Sequence, residues 1–341
     1  MNAAVDHLAA VTAEPGVGLP WLVGDIGGTN ARFGWIDDPA GPARHVRTLP
    51  VTGFDGPGAA IEAYLAGLPA DAVAGGQRRP QRAALAVATA VTCDQVDMTN
   101  SHWRFSRSAL QTGLGLRSLA VLNDFEALAL SLPRLDPRQL RSHGLPPRPH
   151  GTMAVIGPGT GLGVAGVVQT AQGWLALPGE GGHATLSAAD DFESKLLAEV
   201  RRTHDHVSAE RLLSGIGLPV LHQAVAAVLG QRAAALSAQE VVERGSDGSD
   251  ALCGQTLDAF CALLGGFAGN VALTLGARGG VYIGGGIVPR LGERFFASRF
   301  RERFESKGRF RAYLEAIPTV LITDTLAALS GAAVAIAQST N

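Results

Sequence analysis

The run Gly24-Asp25-Ile26-Gly27-Gly28-Thr29-Asn30 follows a short apolar stretch, Trp21-Leu22-Val23. It brings an acid, two adjacent glycines and two small hydrogen-bonding side chains to one turn. Glycines in a tight turn let backbone N–H groups approach an anion that a Cβ would block. Thr29 and Asn30 add short polar arms, and Asp25 can face a hydrated cation. An acid beside a phosphate makes sense only with a metal ion between them, here Mg2+ held through water by Asp25. Asp25, Gly27, Gly28, Thr29 and Asn30 thus read as half of a nucleotide-phosphate site. Taken alone, the run is equally an ordinary hairpin turn with a satisfied Asp.

A second turn repeats the layout. Met153–Ile156 is apolar, Gly157-Pro158-Gly159-Thr160-Gly161-Leu162-Gly163 is a turn, and Val164–Gln169 returns as a strand. Gly159, Thr160, Gly161 and their amides suit β- and γ-phosphates. Two such halves suggest a duplicated architecture with a ligand between them. Gly161, Gly163 and Gly166 formally match the dinucleotide fingerprint, but that site needs a helix opening at the glycines, and the residues that follow have strand character. Gly284-Gly285-Gly286, after the apolar Val281–Ile283, offers a flat surface for adenine or ribose. Close helix–strand packing uses glycine equally well.

A set of polar residues could supply an acceptor. Asn123-Asp124 ends a hydrophobic strand, where ligand-binding groups collect in α/β folds, although Asp124 would also suit the N-cap of the next helix. Leu177-Pro178-Gly179-Glu180-Gly181-Gly182-His183 makes a poor helix and a poor strand but a good polar loop. Two ligands, Glu180 and His183, do not specify a zinc site. Glu210 is either a further site acid or a capping acid at a helix start. Amide, carboxylate and imidazole groups together suit a polyhydroxylated ligand, whose hydroxyls they satisfy several at a time.

The elements that must hold these groups follow from pattern. Strands are expected at Trp21–Gly24, Arg32–Ile36, Ala83–Thr89, Leu119–Leu122, Met153–Ile156, Val164–Gln169, Val281–Ile283 and Val320–Ile322. Helices are expected at Gly58–Leu68, Phe125–Leu132, Asp191–Arg202, Leu218–Leu229, Thr256–Leu275 and Asp324–Ala337. Asp71–Arg82 reads as a polar connection and the proline-rich Arg134–Gly151 as a surface linker. At 341 residues two domains are expected, and 46% hydrophobic content supplies ample core. A net charge of -2 gives no basic patch for nucleic acid. Lysine occurs only at Lys195 and Lys307, so no Gly-Lys-[Ser/Thr] exists and a P-loop is excluded. Cys93, Cys253 and Cys261 lack metal-ligand spacing and read as reduced, buried and inert, as in a cytoplasmic protein. Residues 1–20, Ala-rich and without a basic start, read as a disordered leader rather than a signal peptide. No uninterrupted apolar run approaches about 18 residues, so no membrane span is expected.

The chain closely resembles bacterial ATP-dependent glucokinases of the enterobacterial type, in the actin/hexokinase-like superfamily. The matching stretches are Gly24–Arg32, Met98-Thr99-Asn100 with Trp103, Leu122–Phe125, Gly159–Val164, Leu177–His183, His206–Gly215, Gly269–Leu275 and Gly279–Arg290, with Lys307-Gly308-Arg309-Phe310. The resemblance implies a two-domain α/β fold of the actin/hexokinase-like (ribonuclease H-like) type with a central cleft. Residues 21–134 plus 324–341 would form the small domain and 135–323 the large one. It implies glucose and MgATP as substrates, ATP and Mg2+ as cofactors, and a homodimer. Asp124 falls on the catalytic base; Asn123, Glu180, His183 and Glu210 fall on sugar-binding positions, and Asn100 lies in a matching stretch beside them. Asp25–Asn30 and Gly157–Gly163 fall on ATP-phosphate elements, with Gly284 and Gly285 toward the nucleoside. This chain carries Ala90 and Cys93 where the family has proline and glycine, and Asp324-Thr325-Leu326-Ala327 where it has Asp-Asn-Pro-Gly. The cysteine-rich zinc loop of the other bacterial glucokinase group is absent, so no structural metal follows. The rival readings are a kinase for another hexose, a sugar sensor without catalysis, and an actin-like ATPase. The third has no use for the Glu180–His183 loop.

Overall fold

A buried parallel strand must be apolar on both faces, and two sets of such strands organise the chain. The computed structural model describes residues 18–69, 72 and 79–338. The leader assigned to residues 1–20 and the connection 71–82 lie largely outside these described residues. The chain divides into two units. The first is Met1–Ser131 with Thr170–Trp174 and Leu326–Asn341, and the second is Leu132–Gln169 with Leu175–Thr325.

The first unit holds β1 (Trp21–Ile26), β2 (Asn30–Ile36), β3 (Arg44–Pro50), α1 (Pro57–Ala66), β4 (Arg82–Val87), β5 (Gln95–Asp97), β6 (Arg104–Ser106), α2 (Arg107–Gly113), β7 (Ser118–Asn123) and α3 (Asp124–Ser131). Its sheet runs β3-β2-β1-β4-β7, with β1–β3 antiparallel and β4 and β7 parallel to β1. The central strands are almost wholly buried, which leaves polar side chains room only at their ends. The C-terminal helix Ala327–Gln338 packs on α3 and β4. The two helices meet where Gly331 lies against the Ala127 carbonyl, at a spot that a Cβ on Gly331 would occupy.

The second unit holds β8 (Leu140–His143), β9 (Thr152–Pro158), β10 (Leu162–Thr170), β11 (Gly173–Leu177), α4 (Asp191–Arg201), α5 (Leu218–Val228), α6 (Ala238–Asp247), α7 (Ala251–Leu275) and β12 (Gly280–Ile283). Four short helices follow, among them Phe300–Glu305, before β13 (Thr319–Ile322). The sheet runs β11-β10-β9-β12-β13-β8. Its first five strands repeat the first unit: an antiparallel meander, then two strands parallel to the first. Helix α7 is long and apolar enough to cross a membrane by length and composition, yet 78% of its apolar window is buried in the fold. It is a core helix. Gly265 and Gly269 let the backbone of Phe300–Glu305 approach it, and Lys307 Nζ donates to Gly266 O at 2.8 Å and Asn270 Oδ1 at 2.7 Å.

Several expectations from pattern require correction. Arg134–Gly151 is not only a linker, because β8 adds antiparallel to β13 as an edge strand. Flanking prolines and charges hide so short a segment from periodicity. Helix α6 is an addition, its Ser237–Glu240 capping box set in a polar stretch without an evident apolar run. Helix α7 begins at Ala251, capped by Asp250, rather than at Thr256. The last helix begins at Ala327 rather than Asp324, whose carboxylate accepts from Gln139 Nε2 at 2.6 Å. Cys253 and Cys261 are buried, but Cys93 is exposed in the loop after β4.

Gly331→Ala must separate α3 from the C-terminal helix, because the obstacle is backbone and cannot rotate away. Overpacking of this kind costs about 1–3 kcal/mol. Urea denaturation should therefore show a lower midpoint with an unchanged m-value; an unchanged midpoint would mean that the helices are not so closely packed.

Candidate active site

In the first unit, Asp25 lies on β1 opposite Arg32 on β2, and Arg32 Nη1 donates to Asp25 Oδ2 at 3.1 Å. The Asp25 side chain is only 18% exposed, and burial raises its pKa above the ordinary value, with Arg32 opposing the shift. The turn closes through Gly27 N–H to Asn30 O at 2.9 Å, and Thr29 O accepts from Val51 N–H at 2.9 Å. A Cβ on Gly28 would lie 2.6 Å from Asn100 O and 2.8 Å from Asn100 Cβ. One glycine of this turn is therefore small for an internal reason: it seats the loop carrying Asn100.

Asn123 ends β7 and Asp124 opens α3, both at the carboxyl edge of the parallel strands. The capping proposed for Asp124 is shared. Phe125 N–H donates to Asn123 Oδ1 at 2.9 Å and to Asp124 Oδ1 at 3.0 Å. Asn123 Nδ2 donates to Thr89 O at 3.2 Å, and Thr89 Oγ1 meets Thr99 Oγ1 at 3.0 Å. Thr89 thus ties Asn123 to the loop of Asn100. Pattern reading missed Thr89 and Arg32. Arg32 was recoverable, since folding the two strands about the glycine turn sets it opposite Asp25.

In the second unit, the turn between β9 and β10 is closed by Gly159 N–H to Gly161 O at 2.9 Å. No helix opens here; β10 runs straight through Gly163 and Gly166. Gly284 N–H donates to Ile156 O at 2.8 Å, and Gly285, at φ +76°, is pressed against Pro158 O. Its conformation and this close approach both demand glycine there.

The Glu180–His183 segment is a single 3-10 turn after a bridge between Val164 and Glu180. Glu210 N–H donates to Gly182 O at 2.8 Å, and Glu210 Oε2 accepts from Leu162 N–H at 2.8 Å. Glu210 caps no helix, since the next one begins at Leu218. Its carboxylate instead binds the glycine turn. His183 stands between two acids, with Nδ1 3.9 Å from Glu210 Oε1 and Nε2 3.9 Å from Glu180 Oε2. His183 and Glu210 border a pocket of about 290 Å³ lined also by His204, Asp205, His206 and Arg211. Its lining offers imidazole, carboxylate, hydroxyl and guanidinium groups, the mix of donors and acceptors that a polyol can use. Among the described residues, no three His, Cys, Asp or Glu form a metal-holding group.

The glucokinase family model matches residues 22–339. The chain belongs to the glucokinase family. The glucokinase of Chromobacterium violaceum is 49% identical over 320 residues, covering 94% of this chain and 90% of that protein. A glucokinase crystal structure from an Antarctic psychrotroph superposes with a TM-score of 0.84 at 40% identity, covering 93% of this chain and 98% of that one. A ROK-family glucokinase from Streptomyces griseus, solved with glucose and AMPPNP, has a TM-score of 0.64 at 19% identity over 94% of this chain and all (100%) of that one. That likeness shows the fold alone. The glucokinase family fixes the fold class as actin/hexokinase-like α/β and the enzyme class as a phosphotransferase with an alcohol acceptor.

Burial opposes the ionisation of Asp25, with Arg32 offsetting it only in part, which is a stability cost retained at this turn. Because its folded pKa is raised, its contribution to stability is fully present below the ordinary value of 3.8 and is lost as pH rises through the folded value. Asp25→Asn should therefore raise Tm at pH 7 and lose that advantage as pH falls toward 4. Equal Tm gains at both pH values would show that Asp25 carries no such penalty.

Proposed function

We propose that this chain transfers the γ-phosphoryl group of ATP to the 6-hydroxyl of glucose, giving glucose 6-phosphate and ADP, with Asp124 as general base. The observation that carries the reading is the position of Asn123-Asp124 at the carboxyl edge of parallel β4 and β7. Reacting groups collect at that edge in α/β folds. Family membership supports ATP-dependent glucose phosphorylation as the activity.

Asp124 accepts the proton of the 6-hydroxyl as that oxygen attacks phosphorus in line; the bond from the γ-phosphorus to its bridging oxygen breaks, and ADP leaves. Asn100, Asn123, Glu180, His183 and Glu210 hold the sugar hydroxyls and orient the nucleophile. Positioning and charge neutralisation dominate such transfers. Gly28, Thr29 and Asn30 of the first turn and Thr160 of the second face the phosphates, with Gly284 and Gly285 beneath the nucleoside, while the Gly27 and Gly159 N–H groups close their own turns. Asp25 fits a cation bound through water, since Mg2+ commonly takes a single carboxylate with phosphate oxygens and Arg32 engages one Asp25 oxygen. When bound, Mg2+ neutralises phosphate charge. In this reading residues 21–134 with 324–341 act as the small domain and 135–323 as the large one. The enzyme works as a homodimer in the cytoplasm.

The test is a coupled assay of ATP-dependent glucose 6-phosphate formation, run beside a panel of other hexoses. Asp124→Asn should lower kcat by about 10²–10⁴-fold while the glucose KM moves far less. Near-normal turnover in that variant removes Asp124 as base. Preference for another hexose would trace to the loop holding Ala90 and Cys93. Sugar binding without turnover in the parent protein would favour a sensor.

A further inference from the structure

Gly161 has no backbone reason to be glycine, because its φ is not positive. What surrounds it is a side chain. An ideal Cβ would lie 2.5 Å from Glu210 Oε2 and 3.4 Å from Glu210 Cδ. That same oxygen accepts the Leu162 N–H at 2.8 Å. By contrast, a Cβ on Gly159, two residues earlier in the same turn, would meet nothing within 4 Å.

We propose that Gly161 is a positioning residue for the Glu210 carboxylate rather than a contact for the phosphates. It is kept side-chain-free so that Oε2 can reach the Leu162 amide and Oε1 can face the pocket beside His183. The inference rests on the reading of Glu210 as a sugar-binding residue. The surrounding backbone is clamped. Gly215 N–H donates to Gly159 O at 2.7 Å, Glu210 N–H donates to Gly182 O at 2.8 Å, and Ser214 Oγ donates to Glu210 O at 2.7 Å. Gly182 itself sits against the Leu162 carbonyl with no room for a Cβ. A methyl group at position 161 therefore moves the free end of the glutamate, not the turn. Losing the Leu162 N–H leaves a carboxylate without its charge-assisted donor and turned away from the ligand.

The experiment is a double-mutant cycle of Gly161→Ala and Glu210→Ala, with Gly159→Ala alongside, in the full-length protein. Gly161→Ala should lower kcat/KM for glucose about tenfold or more and leave the KM for ATP within about twofold. In the Glu210→Ala background the same change should alter kcat/KM for glucose by no more than about twofold. Any Tm lost in Gly161→Ala should return in the double variant, where the carboxylate is gone. This arm reads the clash without relying on activity. Gly159→Ala, which meets only open space, should instead raise the KM for ATP. The inference fails if Gly161→Ala raises the KM for ATP while sparing glucose, or if its losses are equal in both backgrounds. A parent protein that forms no glucose 6-phosphate overturns the functional reading itself, a result distinct from either of those.

Discussion

A single backbone amide, the Leu162 N–H, sets the geometry of the second unit's polar loops. It donates to Glu210 across 48 residues of sequence, and its own carbonyl is packed against Gly182. The carboxylate accepts a charge-assisted bond, while the turn gains an acceptor for an N–H that the β9–β10 ladder leaves over. Three segments, Gly159–Val164, Glu180–His183 and Ser208–Gly217, are thereby locked to one another. The orientation of His183 between two acids follows from that lock. The first unit solves the same problem differently, by laying Gly28 against the backbone of Asn100.

Both solutions arise from one constraint on the sheets. Strands β1, β4, β9 and β12 are buried on both faces, so their length cannot carry polar chemistry. Polar side chains collect where strands end, and the glycine turns bring backbone N–H groups to the same edge. The repeat of an antiparallel meander followed by parallel strands makes two such edges from one design. Asp25 shows the cost of placing charge there, since burial opposes its ionisation and Arg32 compensates only in part.

Much of this was legible from residue types. The buried strands, the two glycine turns and the polar Glu180–His183 loop were visible because period, composition and glycine spacing are local properties. The edge strand β8 escaped because its pairing with β13 spans 176 residues between His143 and Thr319. The exposure of Cys93 escaped because burial depends on what else packs around a loop, not on the cysteine. Glu210 was read as a possible helix cap, since a turn-rich segment and a helix start look alike until the partner of the carboxylate is known.

By itself, the amino-acid sequence determined the class of fold, the duplicated strand–turn–strand design and the residue types available for binding a polyol and phosphates. These rest on patterns a few residues long, where the physics is that of a turn or one face of a strand. Only the tertiary structure decided the distant partners: Thr89 with Asn123, and Leu162 with Glu210. It also decided why individual glycines are glycine. Gly28 and Gly161 looked alike as phosphate-turn residues, yet each is small because a distant part of its own unit occupies the space of its Cβ. That information is steric and long-range, and no local pattern carries it.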